Sequence, residues 1–518
     1  MSKAVSRVAA LIAVATGLSA VVGYGLCRQA ESAAPVPTAA SAKSVIAPMV
    51  VGMNLGRLMY WSAEWPFNDL VKNAGQLRVI DAKGGWAGKS DLVQLDATGH
   101  PVGVAAKTRL VMILQLGALK SRVGTYQCHI SPGWSVGAFG DAKITGSGTS
   151  FTLKLPGEKN GSALYVTAAT NGAKLSDLSC TDGTALFNPA FLEDNRPFKV
   201  LRFMNWMGVN NAPHRDWATR PSPASLTQDS DSGVAVEYMV DLANALKSDP
   251  WFNLPYDADP TYYRQFANYV RDHLAKDRKV YVELSNEVWN VSFQQGKENI
   301  RLGQARYPGA NVQQASDWYY GDRVRDLMAI WTSAFKGQEG RLVRVLASQA
   351  VNPLRAEQAL SHNDTWKSVD ALATAPYFGK FYKGTAAPGP ERVNAIFESM
   401  PAGIDEAIRY AKAGKAVANR YGLRYVAYET GPSLTSGGNA TLAEDNFTAA
   451  HDPRMYTFYT QFLNRWRNEV GDVLVLFDSI SNPNRDAWYG HKQYTGQPLS
   501  EAPKMRAAVD AASRTATP

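Results

Sequence analysis

The chain contains little cysteine and little histidine for its length. Its 518 residues include 3 cysteines and 7 histidines. Apart from Cys27 near the N-terminus, only Cys128 and Cys180 remain, and two cysteines without clustered histidines do not make a metal site. We therefore expect no metal and no cofactor. In an oxidising compartment Cys128 and Cys180 would form a disulfide, which stabilises the segment by roughly 4 kcal/mol; two unpaired buried thiols are the alternative.

The chain also lacks the features of a nucleic-acid-binding protein. Its 54 basic and 46 acidic residues give a formal net charge of +8, and they form neither a basic run nor an arginine-rich helix. The 13 tryptophans and 23 tyrosines can stack on sugar rings or bases, or fill a core. Because the charge pattern argues against nucleic acid, the aromatic content favours a carbohydrate partner. No obligate protein partner is evident.

The N-terminus is typical of an exported protein. Lys3 and Arg7 precede an apolar stretch, residues 8–26, which suits either a cleaved signal peptide or an uncleaved membrane anchor. Residues 1–30 are assigned to this segment, and residues 31–48, rich in Ala, Ser and Pro, to a flexible linker. Both alternatives export the rest of the chain, to the periplasm or the extracellular space. An uncleaved anchor would tether it to the inner membrane.

Eight apolar runs alternate with helical patterns along most of the chain. Segments such as 261–275 and 317–335 have the periodicity of amphipathic helices. Eight strands separated by helices predict an α/β fold, the (β/α)8 or TIM barrel. A doubly wound open sheet is the alternative, and it is disfavoured because no glycine-rich phosphate turn follows any strand. The predicted strands lie at 49–54 and near residues 201, 252, 282, 344, 373, 426 and 475.

The segment between the first two strands has a different character. Residues 85–185 contain short β-patterned runs separated by Gly, Ser, Asn and Asp turns, with little helical periodicity. We interpret them as an inserted β-sandwich module that a Cys128–Cys180 disulfide would hold together, and we assign residues 49–84 and 186–512 to the barrel. Three aromatic residues would either line a sugar-binding face of this module or fill its core: Trp134, Phe139 and Tyr165.

The strand ends carry the residues that suggest chemistry. In a (β/α)8 barrel the active site lies at the C-terminal ends of the strands. The fourth strand ends in Asn286-Glu287, and the seventh ends in Glu429. Two glutamates at strand ends suggest a pair of catalytic carboxylates. The same rule yields the candidate substrate-binding residues Arg202, Asn205, Trp206, Asn253, Asn286, Trp289, Gln349, Tyr377 and Trp488.

Glycoside hydrolysis requires this set of side chains. One carboxylic acid must protonate the leaving oxygen, while a second carboxylate attacks the anomeric carbon or activates water. An arginine or a tyrosine beside the nucleophile keeps it ionised, and an amide such as Asn286 can bind the sugar 2-hydroxyl. We therefore expect an oligosaccharide or polysaccharide substrate, with tryptophans as the platform for the pyranose ring.

The pattern resembles that of the clan A glycoside hydrolases, the 4/7 superfamily of cellulases, mannanases, xylanases and β-galactosidases. The resemblance rests on Asn-Glu at the end of strand four and a lone Glu at the end of strand seven, and it covers roughly residues 48–60 and 195–500. It implies a retaining enzyme in which Glu287 is the general acid/base and Glu429 is the nucleophile.

The resemblance also assigns supporting residues. Arg202 matches the clan's strand-two arginine near the nucleophile, Tyr377 matches its strand-six tyrosine, and Trp488 would stand in for the aromatic platform after strand eight. Both aromatic residues could instead serve packing alone. Asn253 stands where many members carry histidine, and Gln349 also departs from common patterns, so no single family is assigned. Proteins with a similar Ser-Asn-Glu-Val-Trp-Asn strand are often labelled cellulose-binding, which implies a β-glucan.

Other interpretations of the charged residues stay open. Glu287 could be a buried carboxylate paired with an arginine, Glu429 could cap a helix, and Arg202 could belong to a structural ion pair. Glu283 faces the same side of its strand as Glu287 and is interpreted as a structural partner within the barrel. For the whole protein, the alternatives to a hydrolase are a non-catalytic carbohydrate-binding protein on the same barrel and a transglycosylase.

Overall fold

The computed structural model places most of the chain. Residues 1–45 lie outside the described residues. They include the predicted signal or anchor, residues 1–30, and most of the predicted linker, residues 31–48. The described ranges are 46–80, 86–87, 93–115, 122–156, 161–379, 382–480 and 487–514.

Eight parallel strands close into a barrel, in which the first strand pairs with both the second and the eighth. Each predicted strand is present and each pairs with the next along the chain, so the predicted (β/α)8 barrel is confirmed and the open doubly wound sheet is wrong. The strands are β1 (Val50–Asn54), β2 (Val200–Arg202), β3 (Asp249–Leu254), β4 (Val280–Leu284), β5 (Leu342–Ala347), β6 (Ala371–Thr374), β7 (Arg424–Thr430) and β8 (Val473–Leu476).

Alternate residues of each strand enter two separate cores. Inside the barrel, the Tyr281 ring of β4 stacks on the Trp251 ring of β3, with centroids 5.2 Å apart. On the outer face, Val280 and Val282 pack in the large cluster that includes the surrounding helices. Because both faces are covered, the strands are apolar throughout rather than alternating, as parallel sheets require.

The helices surround the barrel and begin at recognisable caps. For example, the Asp259 carboxylate accepts a hydrogen bond from the backbone N–H of Tyr262, and Pro260 follows as the first helical residue. No helix in the described ranges combines the length with the apolar composition that crossing a membrane would need. The α-helices are Leu70–Asn73, Pro189–Asn195, Val236–Leu246, Pro260–His273, Gln294–Arg306, Val312–Ala334, Pro353–Ser361, Pro390–Arg420, Ala440–His451, Arg454–Arg465 and Pro503–Ser513. Shorter helical turns lie at Trp217–Thr219, Glu339–Arg341, His362–Ser368, Trp466–Val470 and Leu499–Glu501.

Between β1 and β2 the chain forms antiparallel sheets. Both larger sheets contribute to one hydrophobic cluster, to which Leu110 and Leu153 belong. One sheet has four strands, in the order Leu178–Thr181, Gly124–Ile130, Ser150–Leu155 and Lys143–Ser147. The other has five, in the order Trp86–Ala87, Arg78–Ile80, Arg109–Gln115, Ser162–Ala168 and Trp134–Gly140. A separate hairpin pairs Val93–Leu95 with Pro101–Val104. The five-stranded sheet thus includes Arg78–Ile80, which the predicted boundaries assign to the barrel. The division into domains stays a prediction.

The predicted disulfide is confirmed. Cys128 and Cys180 lie directly opposite each other on adjacent antiparallel strands and are bonded. The three aromatic residues of these sheets have different surroundings. Trp134 is buried and donates its indole N–H to the backbone carbonyl of Lys174, whereas Phe139 is 39% exposed and stacks against half-buried Tyr165 on the outer face.

A candidate active site at the mouth of the barrel

The two predicted glutamates lie at the C-terminal ends of β4 and β7. At β4 the chain turns sharply, with positive φ angles at Ser285 (57°) and Glu287 (44°). At β7 the pairing with β8 shifts register between Ala427 and Thr430. A bulge of this kind redirects side chains, and it allows Tyr428 and Glu429, which are consecutive residues, both to reach the site.

Arg202 at the end of β2 connects most of the site. Its side chain is fully buried, and its Nη1 donates to Oε1 of Glu429 at 2.7 Å. Its Nε and Nη2 donate to the Glu283 carboxylate at 3.0–3.1 Å, while Nη2 also donates to Oδ1 of Asn286 at 2.9 Å. Burial by itself lowers the pKa of Arg202, but Glu283 and Glu429 together raise it. The arginine is therefore held as a cation between two carboxylates.

Glu429 receives a hydrogen bond on each of its oxygens. Tyr377, which follows β6, donates its hydroxyl to Oε2 at 2.9 Å, and Arg202 donates to Oε1. An ionised carboxylate only accepts hydrogen bonds, and this arrangement supplies donors to both oxygens. Burial and the nearby Glu429 carboxylate raise the pKa of Tyr377 well above its ordinary value, so its phenol stays a donor. Glu429 caps no helix through these contacts.

Glu287 has neutral partners instead of a cation. The amide of Asn290 donates to Oε2 at 2.8 Å, and the hydroxyl of Tyr428 donates to Oε1 at 3.1 Å. Burial raises the pKa of Glu287 to about 7, with a further increase from the charge of Glu429, and the two hydrogen bonds only partly oppose this. Among the described residues Glu287 makes no ion pair with an arginine, whereas Glu283 pairs with Arg202. Glu283 is thus a structural partner within the barrel, as predicted.

A chain of amides orients Asn286. Because a guanidinium only donates, Oδ1 of Asn286 must face Arg202, and its Nδ2 donates to Oδ1 of Asn210 at 3.1 Å. Gln295 donates to the same Asn210 oxygen at 2.9 Å and to the backbone carbonyl of Asn286 at 2.8 Å. The backbone N–H of Asn211 donates to Oε1 of Gln295 at 3.0 Å. Arg202 at one end of this series and the backbone N–H of Asn211 at the other thus determine how the amides of Asn286, Asn210 and Gln295 are oriented.

Two other predicted amides lie nearby on the strand ends. Asn253 of β3 donates to the backbone carbonyl of Ser285 at 2.7 Å, and its buried Oδ1 has no hydrogen-bond partner among the described residues. Asn205 donates to the backbone carbonyl of Leu55 at 3.0 Å. Asn253 therefore supports the turn before Glu287, and Asn205 supports the loop that follows β1.

Trp289 and Gln349 are half-buried at the same end of the barrel, after β4 and β5. Trp289 follows the Glu287 turn directly. These two side chains lie within the mouth region, and their predicted role in substrate binding stays a prediction.

Two tryptophans that were predicted to bind substrate, Trp206 and Trp488, pack elsewhere in the structure. Trp206 is 1% exposed and packs against Phe191 and Phe203 in the outer core. The chain turns back after β2, with the Met207 N–H bonded to the Phe203 carbonyl, so the indole does not continue the direction of the strand. The indole packs against rings of the outer core and not at the two carboxylates, so we assign Trp206 to packing.

Trp488 likewise packs on a helix rather than at the carboxylates. Its indole N–H donates to the Ala443 carbonyl at 3.2 Å, and its ring lies against that of Phe447 at 4.4 Å. The next residue, Tyr489, is instead close to the site, with its ring 5.6 Å from that of Tyr377. The contacts of Trp488 therefore match its alternative role, which is packing.

Several site residues had not been identified from the sequence. Asn54, at the end of β1, accepts from Arg202 at 3.0 Å and donates to the Tyr428 carbonyl at 3.0 Å. The strand-end rule applied to β1 would have found it. Strand alternation would have found Tyr428, because it faces the barrel interior together with Val426, two residues earlier. The sequence carries no comparable signal for the remaining ones, Asn210, Asn290, Gln295 and Tyr489.

The described residues contain no group of three or more His, Cys, Asp or Glu side chains arranged to hold a metal ion. The carboxylates of the site are instead engaged by arginine, tyrosine and asparagine donors. What the arrangement offers chemically is proton transfer at Glu287 and an electron-rich carboxylate at Glu429.

Neither a protein-family model nor a curated protein matches the sequence. Several solved structures are similar in fold at low identity. An α-L-arabinofuranosidase from Thermotoga maritima has 9% identity and a TM-score of 0.39 over 62% of each chain. A family 51 arabinofuranosidase from Xanthomonas axonopodis pv. citri has 12% identity and a TM-score of 0.41 over 60% of this chain and 65% of its own. A β-glucosidase from Thermotoga maritima has 10% identity and a TM-score of 0.36 over 62% and 84%.

The chain spans less than two thirds of the length of either arabinofuranosidase, at 62% and 65%. Identities and TM-scores this low assign no family.

Proposed function

We propose that this protein is a glycoside hydrolase that cleaves a β-linked glycan, of the cellulose, β-glucan or hemicellulose type, with retention of anomeric configuration. Glu287 is the general acid/base and Glu429 is the nucleophile. The observation that carries the proposal is the unlike surroundings of the two carboxyl groups at one barrel mouth. Unlike environments at two neighbouring carboxyl groups are what separate acid and nucleophile roles require.

The first step would form a glycosyl-enzyme ester. Glu429 attacks the anomeric carbon while Glu287 donates its proton to the leaving glycosidic oxygen. A pKa of about 7 leaves a substantial fraction of Glu287 protonated near neutral pH, as a general acid requires. In the second step Glu287 takes a proton from water, the water oxygen attacks the anomeric carbon, and Glu429 leaves.

Arg202 and Tyr377 would stabilise the nucleophile in its ionised form, since both donate to it. Asn286 can offer its second amide hydrogen to the sugar 2-hydroxyl, because only one is engaged by Asn210. The amide chain behind it would keep that hydrogen directed without any rearrangement on binding.

Export is part of the proposal. The N-terminal segment predicted for residues 1–30 suggests it, and the Cys128–Cys180 disulfide supports it because disulfides persist in oxidising compartments. Cell fractionation with an antibody against the chain tests this point. Recovery of the protein in the cytosol with reduced cysteines would contradict it.

The decisive experiment incubates the purified chain with a panel of polysaccharides and measures the release of reducing ends. Glu287→Gln and Glu429→Gln are expected to lose this activity, whereas Glu298→Gln, on an exposed helix surface paired with Arg301, should keep it. Proton NMR of the first product should show the retained anomer. Binding without release by the wild-type chain would instead favour a non-catalytic carbohydrate-binding protein, and transfer to added sugar in preference to water would favour a transglycosylase.

A further inference from the structure

Both oxygens of Glu287 are engaged, but by donors of different kinds. Asn290 donates its amide to Oε2 at 2.8 Å, and Tyr428 donates its hydroxyl to Oε1 at 3.1 Å. The difference matters because a carboxyl group that transfers a proton must carry that proton on one particular oxygen.

The orientation of the Asn290 amide is determined by its surroundings. Its Oδ1 accepts from the backbone N–H of Ser292 at 3.0 Å, so its nitrogen must face Glu287. Its own backbone N–H donates to the Glu287 carbonyl at 2.8 Å, which closes a tight turn around the carboxyl group. An amide nitrogen only donates. The lone pair of Oε2 that faces Asn290 therefore cannot hold a proton.

The turn that carries Asn290 is packed tightly by the following helix. Gly296 lies so close to the turn that a Cβ there would come within 2.1 Å of the Asn290 carbonyl oxygen and 3.3 Å of the Val288 carbonyl oxygen. Only glycine allows this approach without displacing backbone. The backbone of the turn that carries Asn290 and Glu287 is thus held in place by packing, and the Asn290 side chain reaches Oε2 of Glu287 from it.

Tyr428 differs because a phenol can donate or accept. Its ring is fully buried, with the Arg202 guanidinium 5.0 Å from the ring centroid, and its backbone carbonyl is held by Asn54. The hydroxyl therefore stays in place while its hydrogen can rotate. It can donate to Oε1 of the carboxylate and accept from Oε1 of the acid.

From this geometry we infer that Asn290 and Tyr428 are positioning residues that favour the acidic proton of Glu287 on Oε1, with Asn290 occupying a lone pair of Oε2 that a proton would otherwise take. The inference rests on the proposed function in taking Glu287 as the acid/base. In the first step the O–H bond at Oε1 breaks as the glycosidic oxygen gains the proton and leaves the anomeric carbon. In the second, a proton from water returns to Oε1.

The two residues should affect the pKa of Glu287 unequally. Asn290 can donate to Oε2 in both forms, but its hydrogen bond is stronger to the ionised carboxylate than to the neutral carbonyl oxygen, so its removal should raise the pKa by about one unit. Tyr428 can reverse its role and accept from the protonated Oε1, which stabilises the acid as well, so its removal should raise the pKa by less than half as much. The charged or titratable groups that also face Glu287 are unchanged in both variants: Glu429, Arg202, Tyr377 and Tyr489.

The first test measures this pKa directly. The side-chain carboxyl carbons of glutamate are labelled with 13C in the full chain, and the Glu287 resonance is assigned by its loss in Glu287→Gln. Asn290→Ala and Tyr428→Phe are titrated against the wild type, with Tyr425→Phe as the matched control. Tyr425 lies on the same strand, is equally buried, and bonds to Thr374 instead of Glu287. Equal shifts in the two variants, or a larger shift in Tyr428→Phe, would overturn the inference.

The second test uses the leaving group. Loss of proton placement should lower kcat/KM for Asn290→Ala about 10-fold on 4-methoxyphenyl β-cellobioside, whose leaving group needs protonation. The loss on 2,4-dinitrophenyl β-cellobioside, whose leaving group does not, should be under about 3-fold. An equal loss on both substrates would indicate a merely structural role and overturn the inference.

Asn290→Asp guards against misfolding, since it keeps the size of the side chain. Its carboxylate cannot donate and adds negative charge, so the alkaline limb of kcat/KM should move further upward than in Asn290→Ala. If the wild type hydrolyses no glycan at all, the proposed function fails, whereas the NMR titration still decides where Glu287 holds its proton.

Discussion

The tips of β4 and β7 present the same side chain in different surroundings. Glu429 on β7 accepts from a guanidinium, Arg202, and from a phenol. Glu287 on β4 accepts from an amide, Asn290, and from a phenol. Each oxygen of each glutamate has a donor, so the number of hydrogen bonds does not distinguish the two. The difference is the charge of one donor.

The proposed roles of the two glutamates, acid/base and nucleophile, depend on that difference. A cation at hydrogen-bond distance stabilises a carboxylate much more than a neutral amide does. Without a cation of its own, Glu287 responds mainly to burial and then to the charge of Glu429, which raise its pKa to about 7. Each of the following predictions alters one side of this comparison, from the largest expected effect to the smallest.

Replacing the nucleophile should have the largest effect. Glu429→Gln removes the group that forms the glycosyl-enzyme bond, and hydrolysis should fall by on the order of 10⁴-fold or more. It should also lower the pKa of Glu287, because one of the two causes of its rise disappears. Initial rates on the best glycan and the 13C titration measure the two effects. An unchanged pKa of Glu287 would show that the charge of Glu429 does not act on Glu287, and would contradict this account of the two glutamates.

Removing the shared cation should affect stability as well as activity. Arg202→Met leaves Glu283 and Glu429 buried without their positive partner, and loss of one member of a buried ion pair costs about 3–5 kcal/mol. Urea unfolding followed by circular dichroism measures this cost. Arg301→Met, at an exposed surface pair with Glu298, is the matched control and should unfold like the wild type.

Loss of the neutral donor to the nucleophile should have a smaller effect. Tyr377→Phe removes one hydrogen bond to a charged group, worth about 1.5–3 kcal/mol, so kcat should fall by about 10- to 100-fold. The fold should be unaffected, because the ring is retained. Tyr425→Phe, which removes a buried phenol outside the site, should keep wild-type kcat, and a comparable loss there would assign the effect to packing.

The last expected effect is on stability as a function of pH rather than on activity. The pKa of Glu287 rises from 4.5 to about 7 on folding, so folding binds a proton between these values and stability falls as the pH rises through this window. Glu287→Gln has no such proton and should gain stability relative to the wild type at pH 8 compared with pH 4, by about 3 kcal/mol at most. If urea unfolding gave the same difference in unfolding free energy between Glu287→Gln and the wild type at pH 4 and at pH 8, the raised pKa of Glu287 would be contradicted. In the wild type, hydrolysis should decline above about pH 7 for the same reason.

Much of the fold could be predicted because its cause is local. Each strand of this barrel is an apolar run, and strands buried on both faces need no pattern beyond that. The strand-end rule then brought Glu287, Glu429, Arg202, Asn286 and Tyr377 to one mouth, where the structure joins them. Strand alternation also indicated Glu283 as a structural partner, because it faces the same side as Glu287, and the structure pairs it with Arg202.

The rule failed where the chain stops following its strand direction. A turn after β2 carries Trp206 into the outer core, and the loop after β8 places Trp488 on a helix, leaving Tyr489 beside Tyr377. The bulge in β7 has the opposite effect, because it brings Glu429 into the site beside Tyr428, which already faces the barrel interior. Turns and bulges depend on long-range packing, and the periodicity of the sequence does not contain that information.

The sequence by itself determined a parallel barrel with two glutamates at its mouth, because strand formation and strand-end placement follow from apolar runs and the direction of the chain. Only the tertiary structure decided which glutamate receives the cation. Arg202 lies on β2, and its Nη1 reaches Glu429 while its other nitrogens are taken by Glu283 and Asn286. A guanidinium has a limited number of donors in fixed directions, and the neighbours that fill them come from strands far apart in the chain.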